Sequence, residues 1–90
     1  MFLEADGRRF ELLVASDVSR DGLGVELHEL LPRGETRMVM EVFRFDDPTS
    51  FDTRPLRTVL THASNDVPLA VAKVVLDRAV TELTVGGRRD

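Results

Sequence analysis

The sequence predicts an α+β protein: an antiparallel β-meander of about four to five strands, with one long C-terminal helix packed on one face. Three observations lead there. Apolar residues alternate at period two through the first two-thirds of the chain, as in Phe10, Leu12 and Val14. Gly, Pro and Asp punctuate these runs. The spacing becomes helical at Asp66.

A short strand over residues 2–5 precedes Asp6-Gly7, a dipeptide suited to a tight turn. Residues 9–16 form the next strand. The polar loop from Asp17 carries Asp21-Gly22 and ends at Gly24, which opens a strand over 24–31. In that strand Val25 and Leu27 share one face, and Glu26 and His28 share the other. Pro32-Arg33-Gly34-Glu35 is a second turn. Residues 37–46 are the clearest strand, rich in Val, Met and Phe. Asp46-Asp47-Pro48 breaks the ladder. Residues 56–62 read as a last strand, supported by Val59 and the threonines, with a short helix as the alternative. Asp66 is placed to cap the helix, with Pro68 in its first turn. The helix runs to about residue 84, Gly86-Gly87 ends it, and residues 86–90 form a frayed tail. Its expected buried stripe is Leu69, Ala72, Leu76, Ala79, Val80 and Leu83, with Val75 at its edge and Phe10, Leu12 and Leu27 as core partners.

The 90 residues form a single domain. Apolar residues at 42% and charged residues at 31% are the balance of a globular protein. The absence of cysteine excludes disulfides, thiolate metal sites and a cysteine nucleophile. Net charge is −4, and both halves of the chain are acidic, which argues against nucleic acid as a partner. Lys73 is the single lysine among twelve basic residues, a usage that points to a GC-rich bacterial genome. Acids near the N-terminus replace the basic segment of a signal peptide, and no apolar run is long enough to span a bilayer. The expectation is a cytoplasmic protein with no membrane partner.

Two surfaces are more apolar than one helix and one small sheet require. In residues 37–46, Met38, Met40 and Val42 are expected on one face, and Val39, Phe43 and Phe45 on the other. The second face is covered either by a loop such as residues 49–55, by a second subunit, or by another protein. On the helix, Val67, Val71 and Val74 fall on the side away from the expected stripe. These six residues are the interface candidates.

Candidates for chemistry are sparse. Glu26 and His28, with His62 from a neighbouring strand, have the ligand types of a His/His/carboxylate metal site. Asp46, Asp47 and Asp52 lack the alternation and the glycine of a calcium loop. Gly22-Leu23-Gly24 lacks the context of a phosphate cradle, and no serine sits beside an identifiable base. Arg54 and Arg57 form a weak anion site, with Arg8 and Arg9 as a second pair, each set among acids. No cofactor is implied. The reading is a small interaction or regulatory module acting by binding, as a homodimer or on a protein partner. The competing reading is a small enzyme or ligand-binding protein using His28, His62 and nearby carboxylates.

Overall fold

The computed structural model describes residues 1–45 and 57–84. Five strands, β1 (Phe2–Ala5), β2 (Arg8–Asp17), β3 (Gly22–Leu30), β4 (Thr36–Phe45) and β5 (Arg57–Ala63), form one antiparallel sheet in the order β1-β2-β3-β4-β5. Chain neighbours are therefore sheet neighbours throughout, and the region read as strand or helix is the strand β5. A helix, α1 (Leu69–Ala79), follows and runs into a single π turn, Val80–Thr84.

The turns follow from backbone sterics. Asp6 and Gly7 both have positive φ, 55° and 73°, the twist a two-residue hairpin needs, and Ala5 pairs with Arg8 across it. Asp17 closes the β2–β3 return, where its Oδ1 accepts the Arg20 N–H at 3.1 Å. Between β3 and β4 the Leu31 N–H donates to the Glu35 carbonyl at 2.8 Å, and Gly34 supplies a φ of 88°.

The core lies between one face of the sheet and α1. Phe10, Leu12, Val25, Leu27, Val39, Met40 and Val42 pack against Val71, Val75, Ala79 and Leu83. Val67, Ala72 and Val74 are partly buried at its margin.

Four expectations are corrected. The helix is shorter than residues 66–84. Asp66 does not cap it: the N-cap is Pro68, whose carbonyl accepts the Val71 and Ala72 N–H groups at 3.0 and 2.9 Å. Asp66 is drawn elsewhere, its carbonyl accepting from Arg8 Nη1 at 2.7 Å.

The buried helix stripe is also rotated. Leu69 and Leu76 are 85% and 47% exposed and Val80 is 64% exposed, while Val71 and Val75 are buried; Ala79 and Leu83 are buried as expected. Both stripes are apolar, so periodicity alone does not choose between them. The sheet face is already filled by Phe10, Leu12, Leu27 and Met40, and a row of Val and Ala fits against it where leucines would overpack.

In β4 a register shift opposite Leu27/His28 places Val39 in the core with Met40, while Met38 pairs with His28 on the opposite face. The strict alternation expected for this strand fails at that bulge.

The expected helix end at Gly86-Gly87, the tail 86–90, Asp46, Asp47, Asp52 and the loop 49–55 lie outside the described residues. Among the described residues, no helix is long and apolar enough to cross a membrane.

Candidate functional site

The sheet face without the helix carries most of the polar residues singled out above. Strand register sets their positions. Leu13, Glu26, Glu41 and His62 form one row across β2, β3, β4 and β5. Gly24, Phe43 and Val59 form the next row, and Gly22 and Phe45 the one beyond.

Glu41 is 2% exposed and is held on both oxygens. Arg20, from the β2–β3 turn, donates Nη1 to Oε1 at 2.9 Å and Nη2 to Oε2 at 2.8 Å, a paired fork. Thr61 Oγ1 on β5 donates to Oε1 at 2.7 Å. Arg20 also donates Nε to Asp17 Oδ2 at 2.6 Å. The Arg20 hydrogen bonds hold the Glu41 carboxyl below the usual carboxylate range, against the opposing effect of burial. Asp17 is lowered through its own bonds to Arg20. The guanidinium is in turn held protonated by Glu41 and Asp17. The cluster therefore clamps the β2–β3 turn to β4 and β5.

Arg20 also covers an aromatic group. Its guanidinium carbon lies 4.0 Å from the centroid of the Phe43 ring, and Phe45 meets that ring edge-on at 4.8 Å. Phe43 is fully buried. It lies over Gly22 and Gly24 of the adjacent strand, where a Cβ would come within 2.5 and 3.0 Å of the ring, and at Gly22 within 2.2 Å of the Arg44 carbonyl oxygen. The two glycines are therefore a bed for Phe43 as well as turn residues.

Of the expected metal ligands, Glu26 and His28 meet, with Glu26 Oε1 2.8 Å from His28 Nε2. His62 is exposed on β5, and in its row the clamped Glu41 stands between it and Glu26. Among the described residues, no group of three or more His, Asp or Glu side chains is placed to hold a metal ion.

On the helix side, Glu29 accepts from Arg8 Nε and Nη2, each at 2.8 Å, and from Arg37 Nη2 at 2.8 Å. Hydrogen bonding from Arg8 lowers the Glu29 carboxyl to about 2. Through its bond to the Asp66 carbonyl, Arg8 ties the start of β2 to the segment leading into α1. Arg8 is thus a structural tie, while Arg9 stays exposed at 3.6 Å from Glu4. Arg54 lies outside the described residues, and Arg57 opens β5 opposite Phe45.

The six interface candidates scatter. Val39, Phe43 and Val71 are buried within the single chain, and Phe45, Val67 and Val74 are partly buried. Among the described residues, the most exposed large apolar side chains are instead Leu60 of β5, Leu69 and Leu76 of α1, Val80 of the π turn, Met1 and Phe2 at the start of the chain, and Val18 in the β2–β3 turn.

Sequence reasoning missed Asp17, Arg20, Glu41 and Thr61. One signal was present: two glycines at period two, in a strand that pairs with one carrying Phe43 and Phe45, mark a place where a ring lies flat on backbone. No protein-family model matches the chain, and comparison with curated proteins and with solved structures finds no match.

Proposed function

We propose that this chain is a small binding module that acts by self-association. The carrying observation is the placement of its exposed apolar side chains: Leu60, Leu69, Leu76 and Val80 are each about half exposed or more. They sit on regular elements, where a rigid surface is presented to a second molecule. The most enclosed ionisable groups support the same reading. Glu41 and Glu29 are consumed by internal arginines, which suits a scaffold more than a proton-transfer site.

Sedimentation equilibrium at micromolar concentration tests this. The expected species has twice the 10.1 kDa of one chain. A 10.1 kDa species at every concentration removes the self-association reading.

A further inference from the structure

We propose that the outer face of α1 is the seam of a twofold homodimer, in which two copies of the helix lie antiparallel with Leu69 of each against Val80 of the other. The proposal rests on the self-association reading and names the surface that carries it.

The face follows from helical geometry. At about 100° per residue, Leu69, Leu76 and Val80 point within about 40° of one another. Their common direction is about 120° from that of Val75, which is fully buried against the sheet. Val80 has helical backbone, φ −59° and ψ −44°, so the stripe continues through it. The helix therefore carries two apolar stripes, and its own sheet uses one. A lone exposed leucine is ordinary, but three large apolar side chains on one stripe of a rigid element are a contact surface.

The charges beside this stripe select a second copy as the occupant. Lys73 projects next to Val80, and its Nζ donates to Asp77 Oδ2 at 2.7 Å. Both side chains are exposed, at 75% and 67%. The face reads the same in reverse with the signs exchanged: Leu69 and Val80 are centred between residues 74 and 75, and Lys73 and Asp77 are centred on residue 75. A twofold axis at that point sets Leu69 against Val80 of the second copy, lays the Lys73 stem over the second Leu76, and brings the Lys73 ammonium to the second Asp77. An ammonium has three donors and a carboxylate two oxygens, so the intrachain bond leaves both able to bond across the seam. Parallel pairing would instead stack Lys73 on Lys73 and Asp77 on Asp77. The antiparallel contact uses each face once, so it closes at two chains. The helix has 11 residues. The contact is correspondingly small, most of each chain's stability is its own, and the dimer is reversible with dilution.

Charge reversal tests the pairing. Lys73→Glu gives a face with two acids, and Asp77→Lys gives a face with two ammonium groups. Each variant alone should dimerise about tenfold or more weakly than the wild type, with an unchanged circular dichroism spectrum. An equimolar mixture of the two should recover a dimer by sedimentation, because opposite charges then meet across the seam. Neither variant has the intrachain Lys73–Asp77 pair, so the recovery reports the contact between chains. Cysteine pairing fixes the direction. The chain has no cysteine, so each substitution introduces a single thiol. Packed helix axes lie about 8–10 Å apart, which places facing residues within disulfide reach. Two copies of position 69, or of position 80, are offset by about 16 Å along the antiparallel helices. Under mild oxidation, Leu69→Cys mixed with Val80→Cys should cross-link into a covalent dimer, and either variant alone should remain single chains. A wild-type dimer that the charge reversals leave intact, that the mixture does not restore, or that cross-links through either cysteine variant alone overturns the antiparallel helix seam while self-association stands. A wild-type monomer at every concentration removes both and leaves this face to a different partner.

Discussion

β1 spans four residues, sets Glu4 beside Arg9 at 3.6 Å, and lies partly under α1, with Leu3 and Ala5 packed against the core. β5 spans seven, is uncharged from Thr58 to Thr61, and keeps every side chain from Thr58 to Ala63 exposed. These are the two edges of one sheet. β1 is short, charged and partly covered by the helix, whereas β5 is longer, opens on Arg57 and carries a one-residue bulge at Thr61 where it pairs with β4. The halves behind them also differ. The β1 half is fastened by Glu29, Arg8 and the backbone at Asp66. The β5 half is fastened by Phe43 on its glycine bed and by the Arg20–Glu41–Thr61 clamp. The lesson is that the sheet's interior is secured on both sides, by an arginine–carboxylate tie on one and by a buried ring and a clamp on the other.

The largest expected effect is on the β5 half. Phe43→Ala leaves Gly22 and Gly24 facing a void and strips the apolar surface beneath Arg20, and it should cost about 3–5 kcal/mol. Urea denaturation reads this as a lower midpoint; an unmoved midpoint would mean that Phe43 does not anchor β4 and β5. Leu13, at the opposite end of the adjacent row and 38% exposed, offers a contrast on the same face.

The β1 half is tested by acid. Glu29 titrates near pH 2 in the fold, against an ordinary value of 4.5. Its contribution is complete above the unfolded value and is lost as pH falls from about 4.5 towards about 2, because the unfolded chain takes up the proton first. Glu29→Gln should be about 1–3 kcal/mol less stable at pH 7 and should show a shallower loss across that window. Equal slopes for the two proteins would place the acid sensitivity elsewhere.

Gly7→Ala sharpens the comparison at the β1 hairpin. A Cβ there meets nothing within 4 Å, so the whole cost is that of a positive φ, 73°. About 1–2 kcal/mol is expected, read as a lower melting temperature. Smallest is Leu76→Ala. With Leu76 47% exposed, the loss should stay within about 0.5 kcal/mol. A buried leucine at that position would instead cost about 2–5 kcal/mol, which chemical denaturation separates readily.

Where pattern and chemistry agree, the fold was legible. Asp6-Gly7, Gly34 and the alternation in β2 locate turns and strands because few conformations satisfy them. The helix phase was legible only in part: Ala79 and Leu83 of the expected stripe are buried, but Val71 and Val75 complete as consistent a stripe with them as Leu69, Leu76 and Val80 do. The choice depends on how much volume the sheet leaves. The bulge at Val39 reverses the facing of Met38 relative to Met40, and nothing in Met-Val-Met announces it. The Arg20–Glu41 clamp joins a turn to a strand two elements away, so register had to be known before the pair was visible. Glu26 and His28 were legible as a pair because they lie two apart on one strand. His62 was not excluded from their site by sequence, since Glu41 and its arginine intervene only in the folded sheet.

The proposed self-association is tested most directly by amide hydrogen exchange at two protein concentrations spanning the micromolar range. The account predicts that a set of amides gains protection at the higher concentration. Exchange that is identical at both concentrations throughout the chain would contradict it.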